Sequence, residues 1–262
     1  NGHPPPEEKR RIYLRAEELG INLFDLGYGD EVHVPDELKG PRDDRFFSLK
    51  AGAPAADAVE DFVDKHLANI RREAIDILRV HHYAYLQNEG LAERIAVLKD
   101  KGKVRALCTI RHMLADQQTY AARGPEEGAD ADLVIYNYVC RWQAPGLEMS
   151  AQAGKGVLVM KALGGQWLNW ADQAQADWEA ADAEQVIEIG PKGEGLRPDL
   201  PLIYPIVKGP WQELCEPGEA VPPTNKAIDW VLATEGVHSA LVAFASVDEL
   251  EEGLGVLAGE TV

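Results

Sequence analysis

The sequence is poor in cysteine and has no long apolar run. Its three cysteines, Cys108, Cys140 and Cys215, are far apart, so the chain has no CxxC pair for a metal or redox site and no disulfide framework. We therefore expect reduced thiols. No apolar run reaches the roughly 18 residues that a membrane-spanning helix needs, and the opening NGHPPPEEKRR lacks the apolar core of a signal peptide.

Positive charge is also scarce. The chain has 26 lysines and arginines against 44 aspartates and glutamates, which gives a formal net charge of −18. This excess of negative charge opposes binding to nucleic acid or to an anionic membrane and favours solubility. We expect a cytoplasmic protein whose partner is a small molecule, neither nucleic acid nor membrane. An export signal removed upstream of this chain is compatible with that expectation.

The sequence does contain a regular alternation of apolar runs and amphipathic segments. Its 262 residues, 45% of them hydrophobic, suffice for one large α/β domain, since single βα barrels run to about 250 residues. Nearly continuous apolar strands separated by helices are typical of a buried parallel sheet. We predict a single domain over residues 1–262 with a parallel (β/α)8 TIM barrel fold. The predicted strands are INLFDL, RFFSLKAG, AIDILRVHH, VRALCTI, DLVIYNYV, GVLVMKALGG and VHSALVAF.

Two segments depart from a regular barrel. The eighth strand would have to precede the first predicted helix, EEKRRIYLRAEELG, so we expect that strand to be absent from this sequence or the barrel to be atypical. Residues 165–223 form a long insertion after the GVLVMKALGG strand, with Trp167, Trp170 and Trp178. Such a segment is typical of a lid over an aromatic or sugar substrate, and a surface flap anchored by its tryptophans is the alternative.

Polar residues at the strand ends are the candidate site, because the carboxyl ends of barrel strands open on one face. These residues are Asp25, Tyr28, Lys50, His81, His82, Arg111, His112, Asn137 and Lys161. An ammonium group beside a phenol lowers the phenol pKa from about 10, and a carboxylate holds that ammonium in place. Asp25, Tyr28 and Lys50 with a histidine therefore form a candidate proton-transfer set. Neighbouring strand residues face opposite sides, so His81 is the better candidate and His82 could be a packed core residue.

The order of several segments resembles the aldo-keto reductase superfamily, of which this chain would be a divergent member. They are GIN-x-FD, SLK, IDILRVHH, KGKVRAL, YN, VMKALGG and GV…VDELEE, and they extend from about residue 18 to about residue 258 outside the insertion. The resemblance implies a barrel that binds NADP(H) or NAD(H) and reduces aldehyde or ketone groups of small molecules. The cofactor would supply the hydride, and the protein would supply geometry and electrostatic field.

The resemblance also implies roles for particular residues. Its catalytic tetrad falls on Asp25, Tyr28, Lys50 and His81. Tyr28 would give its proton to the carbonyl oxygen, Lys50 and Asp25 would tune that tyrosine, and His81 would orient the substrate. The residues expected to contact the cofactor are Arg111, Asn137, Lys161 and Ser246.

Two other function classes stay open. CTIRH stands where the family has G-x-S-N, and the apolar VAFAS replaces a basic phosphate loop, so the chain could be a cofactor-free barrel that serves as a binding or regulatory module. A metal-dependent hydrolase is the less favoured alternative. Asp25, His81, His82 and His112 could share one barrel mouth, but the chain has no HxH strand, no HExxH and no second acid at the last strand.

Overall fold

Seven parallel strands form one sheet in the order of the sequence. The structure is a computed structural model that describes residues 4–28, 33–138, 140–164, 213–219 and 222–256. The strands are β1 (Leu23–Tyr28), β2 (Phe46–Gly52), β3 (Ile75–His81), β4 (Val104–Arg111), β5 (Ala131–Ile135), β6 (Gly156–Met160) and β7 (Ser239–Leu241). The helices are α1 (Pro6–Glu18), α2 (Val59–Ile70), α3 (His82–Gln87), α4 (Leu91–Asp100), α5 (Leu114–Arg123), α6 (Ala144–Gln152), α7 (Thr224–Leu232) and α8 (Val247–Gly253), with a 3₁₀ turn at Asp36–Leu38.

The sheet curls until its two edge strands share an interior. Leu23 on β1 and Leu241 on β7 belong to the same apolar cluster as Leu133 and Leu158 from the middle strands. A parallel sheet that alternates with helices and nearly closes on itself fits a (β/α)8 TIM barrel. The predicted fold class and the predicted strand order are confirmed.

The outer face of the sheet packs against the helices. On α2 the buried residues Val59, Val63 and Ile70 recur at helical spacing and form one apolar stripe. This stripe belongs to the same buried cluster as Leu49 of β2 and Leu78 of β3. Burying each such side chain stabilises the fold by about 1.5–3 kcal/mol, so the barrel positions its strand ends rigidly.

Helices α1 and α8 contact each other beside the two edge strands. Arg15 Nε of α1 donates a 2.7 Å hydrogen bond to Glu251 Oε1 of α8. The backbone nitrogen of Val247, the first residue of α8, donates to Glu8 Oε1 at 3.2 Å. Polar contacts therefore join the first and last described helices.

Some elements differ from the sequence prediction. The short helix α3 was not predicted, and β7 is shorter than the VHSALVAF segment. Most of the predicted lid, with Trp167, Trp170 and Trp178, lies outside the described residues. The single-domain assignment stays a prediction. No helix among the described residues is long and apolar enough to cross a membrane.

Candidate active site

A bulge at the end of β1 brings Tyr28 into register with Lys50. Asp25 pairs with Ser48 and Tyr28 pairs with Lys50, so β1 uses one more residue than β2 between these two pairs. Gly27 lies within the bulge at a φ of 73°, which glycine adopts without strain. The bulge therefore places the backbone of Tyr28 beside Lys50 despite the short FDLGYG spacing.

Asp25 forms an ion pair with Arg79 in the barrel interior. Arg79 Nη2 donates to Asp25 Oδ1, and the same oxygen accepts the Gly27 backbone N–H at 2.8 Å. The side chain of Arg79 is 5% exposed and that of Asp25 is 33% exposed. A buried guanidinium is costly without a partner, and Asp25 supplies that partner.

Sequence reasoning missed Arg79 because it considered only the ends of strands. Arg79 lies inside the apolar run IDILRVH, between the buried residues Leu78 and Val80. Its alternation with His81 was the available signal, since residues two apart on a strand share a face.

Lys50 is half-buried on β2, opposite Arg79 in the parallel register. Burial lowers its pKa below the ordinary lysine value, and the positive charge of Arg79 lowers it further. The carboxylate of Asp25 acts in the opposite direction. The Lys50 ammonium group therefore gives up its proton more readily than an exposed lysine does.

His81 is a half-buried neutral imidazole at the end of β3. Burial and then the charge of Lys50 lower its pKa from 6.5 to about 4, while Asp116 opposes the shift. Its ring stacks on Tyr83 at 5.4 Å and lies 6.4 Å from the ring of His112. Among the described residues Nδ1 has no hydrogen-bond partner. The structure thus places Lys50 close enough to both Asp25 and His81 to interact with each of them electrostatically.

His82 faces the helix layer instead. Its Nδ1 lies 2.9 Å from Asp116 Oδ1 and its Nε2 lies 3.1 Å from Glu126 Oε2. Its side chain is 3% exposed. His82 is the first residue of α3 and packs into the helix layer, whereas His81 ends β3 at the mouth.

Arg111 lies in the layer between the sheet and α5. Its Nε donates a 2.6 Å hydrogen bond to Asp132 Oδ1, and its guanidinium is 5.5 Å from the centre of the Tyr120 ring. Thr109 Oγ1 also donates to Asp132 Oδ1. Arg111 is 1% exposed. Its contact with a cofactor stays a prediction, and its observed contacts are those of a structural ion pair.

Asn137 and Lys161 hold two neighbouring loops at the mouth of the barrel. Asn137 Oδ1 accepts the Cys140 backbone N–H at 2.8 Å, and its Nδ2 donates to the Lys161 carbonyl at 3.1 Å. Lys161 has a φ of 63°, in the left-handed region that few non-glycine residues adopt. Asn137 therefore stabilises the unusual backbone at Lys161.

Ser246 caps helix α8. Its Oγ accepts the Glu249 backbone N–H at 3.1 Å, and the Glu249 carboxylate accepts the Ala245 N–H at 2.7 Å. The Glu8 carboxylate accepts the Val247 N–H in the same region. Two backbone amides of the β7–α8 junction, those of Ala245 and Val247, are therefore hydrogen-bonded to carboxylates of this chain. The predicted contact of Ser246 with a cofactor is untested by this geometry and stays a prediction.

No metal-binding cluster of three or more histidine, cysteine, aspartate or glutamate residues is found in the part of the chain that the structure describes. Cys108 and Cys140 are buried there as free thiols, and burial raises the pKa of each. These thiols are not candidate nucleophiles.

Comparison with known proteins identifies the family. A model of the aldo/keto reductase family matches residues 1–261, whereas no curated protein matches. An aldo-keto reductase from Pseudomonas aeruginosa is 19% identical with a TM-score of 0.62 over 97% of this chain and 84% of its own. The holo form of a Bacillus halodurans aldo-keto reductase is 18% identical, with a TM-score of 0.63 over 98% and 83%.

A Klebsiella pneumoniae aldo-keto reductase in complex with NADPH is 16% identical, with a TM-score of 0.59 over 97% of this chain and 82% of its own. At these identities the solved structures show a shared fold. The family match extends over nearly the whole sequence. The chain belongs to the aldo/keto reductase family.

Proposed function

We propose that the protein is an oxidoreductase that reduces aldehyde or ketone groups of small molecules with NADPH or NADH. The observation that carries the proposal is the register at the mouth, in which Lys50 lies between Tyr28 on β1 and Arg79 on β3. Family membership supports the same reaction class.

The proposed chemistry divides between the cofactor and the chain. The nicotinamide cofactor supplies a hydride when bound. Tyr28 donates a proton to the carbonyl oxygen, and the nearby ammonium of Lys50 favours the phenolate that results. His81, neutral near pH 7, offers its ring to orient the carbonyl group. Asp25 and Arg79 fix the geometry around Lys50.

The residues of the mouth fit the carbonyl group that such a reaction reduces. Lys50 and Arg79 each supply positive charge beside the carboxylate of Asp25. Arg79 Nε and His81 Nδ1 are buried without a hydrogen-bond partner among the residues described. An electron-rich carbonyl oxygen beside these groups would be stabilised as its charge grows during reduction. Lys161, Asn137 and Ser246 are proposed to contact the cofactor. A contact of Arg111 with the cofactor is also part of the proposal, although its side chain is buried against Asp132 and Tyr120.

The proposal is tested by tryptophan fluorescence titration with NADPH and with NADH, followed by turnover assays on a panel of aldehydes and ketones. We expect saturable binding in the micromolar range. Tyr28→Phe should abolish turnover and leave that binding unchanged. A folded protein that binds neither nucleotide would overturn the proposal.

A cofactor-free binding module is the second candidate. The observation in its favour is the bonding of Glu8 and Glu249 to amides of the β7–α8 junction, because these carboxylates would repel a phosphate placed there. Glu8→Gln and Glu249→Gln together would distinguish the two candidates. Nucleotide binding that appears only in this double variant would favour the module.

A further inference from the structure

We propose that Arg79 is a positioning residue that engages the carboxylate of Asp25 and thereby controls the charge state of Lys50. The catalytic consequence of this assignment rests on the proposed function, whereas the effect on Lys50 does not. Arg79 differs from the strand-end candidates because it lies inside β3, beneath the mouth.

Asp25 lies between Arg79 and the bulge of β1. One of its oxygens, Oδ1, accepts both the Arg79 guanidinium and the Gly27 N–H. One bond comes from β3 and the other from the bulge of β1 itself. Because Arg79 engages Oδ1, the ability of the Asp25 carboxylate to hold a proton on Lys50 is reduced.

Lys50 lies among charges of both signs. Asp25 on β1 and Arg79 on β3 both act on the charge of Lys50, and Tyr28 on β1 pairs with Lys50 in the strand register. His81 on β3 is acted on by Lys50 in turn, and Asp116 on α5 acts on His81 from the other side. Arg79 disfavours the ammonium form twice, because it adds positive charge and occupies the neighbouring carboxylate. Burial acts in the same direction, and the pKa of Lys50 is lowered accordingly.

The lowered pKa of Lys50 has an effect at the mouth of the barrel. An ammonium group with a weakened hold on its proton is a stronger acid, and Arg79 and Lys50 each contribute a positive field at the mouth. Such a field favours negative charge that develops on a substrate oxygen. Arg79 thus acts through Lys50 and Asp25 without needing to touch the substrate.

The test is competitive acetylation with acetic anhydride across a pH series, because the reagent attacks only the neutral amine. Mass spectrometry of the digest reads the labelling of Lys50, and the exposed Lys101 in the same sample is the internal control. The variants are Arg79→Met, Arg79→Lys and Asp25→Asn. No cofactor or substrate enters this measurement.

We expect Arg79→Met to move the labelling midpoint of Lys50 to higher pH. At a fixed pH below the midpoint, the labelling rate of Lys50 should then fall about tenfold for each pH unit by which the midpoint rises. Arg79→Lys keeps the charge and should retain a midpoint close to that of the parent protein. Asp25→Asn should move the midpoint to lower pH. The midpoint of Lys101 should not change in any variant.

An unchanged or lower midpoint in folded Arg79→Met would overturn the assignment. If Arg79→Met does not fold, Arg79→Gln takes its place, and an unchanged or lower midpoint in that variant is the overturning result. In an active enzyme the pH profile of kcat/KM should move together with the labelling midpoint. A labelling shift in a protein without reductase activity would support the role of Arg79 and reject the proposed function.

Discussion

The side-chain amide of Asn137 donates a hydrogen bond to the backbone carbonyl of Lys161, so the residue after β5 supports the left-handed residue after β6. Asn137→Asp replaces this donor with a carboxylate that faces a carbonyl oxygen. We expect a loss of about 1–3 kcal/mol in the free energy of unfolding, measured with urea, and weaker nucleotide binding.

Asn88 provides a matched control for this variant. Its Nδ2 donates to the Pro54 carbonyl at 2.8 Å, in the connections that follow β2 and α3, and makes no bond to Lys161. Asn88→Asp should also destabilise the fold but leave nucleotide affinity at the parent value. Equal effects of the two variants on nucleotide affinity would show that the hydrogen bonds of Asn137 have no specific effect on the site.

The bulge at Gly27 predicts a separation of stability from activity. Gly27→Ala forces a left-handed backbone on alanine at a φ of 73°, although no atom lies within 4 Å of the added Cβ. Gly154→Ala imposes the same kind of strain at a φ of 66° in equally open space. Each variant should lose about 1 kcal/mol, measured by thermal unfolding.

Turnover should distinguish the two glycines. Gly27→Ala should lower kcat at least about tenfold, because a misplaced reacting group costs on the order of ten- to a hundredfold in rate. Gly154→Ala should retain the parent kcat. If both variants keep full activity, the register between Tyr28 and Lys50 does not depend on the bulge.

The Arg111–Asp132 pair predicts strong non-additivity. Arg111→Met leaves Asp132 as an unpaired buried acid and should cost about 3–5 kcal/mol in chemical denaturation. Arg111→Met combined with Asp132→Leu should cost less than the sum of the two single changes. A folded Arg111→Met variant with parent stability and lost nucleotide affinity would instead support the cofactor contact predicted from the sequence.

His81 predicts a defined loss of stability in acid. Its folded pKa of about 4 lies below the ordinary value of 6.5, so the unfolded chain binds the extra proton as the pH falls. The stability present above pH 6.5 is therefore lost progressively between about pH 6.5 and 4. This half-buried residue accounts for up to about 2 kcal/mol of that loss, because solvent screens part of the effect.

His81→Asn removes this titration. Unfolding free energies measured at several pH values should decline less steeply for the variant over the same window. The comparison isolates His81 because the other titrating groups are common to both proteins. Parallel curves would contradict the depressed pKa.

The strands were predictable because each strand of a buried parallel sheet is a nearly continuous apolar run in the sequence. The run AIDILRVHH is rich in apolar and β-branched residues, and it forms β3 at Ile75–His81. Strand alternation predicted that His81 and His82 would face different ways, and they do, although His82 begins α3 instead of extending β3. These features depend on residues that are neighbours in the chain.

The pairing of charges was not predictable in the same way. Asp25 and Arg79 are 54 residues apart, and Arg111 and Asp132 are 21 apart. The register between strands and the face on which each residue lies determine these pairs. Neither can be read from the spacing of residues along the chain. Ser246 was placed beside a cofactor on resemblance alone, whereas its observed hydrogen bond is a local helix cap.

The contact between α1 and α8 makes the edge of the sheet sensitive to ionic strength. Arg15 and Glu251 are about one quarter exposed, so mobile ions reach the pair and weaken it over a distance of about 8–10 Å. The apolar contacts that join the strands, the edge strands included, are not screened by salt. Added salt would therefore weaken the polar part of the α1–α8 contact before it affects the apolar contacts within the sheet.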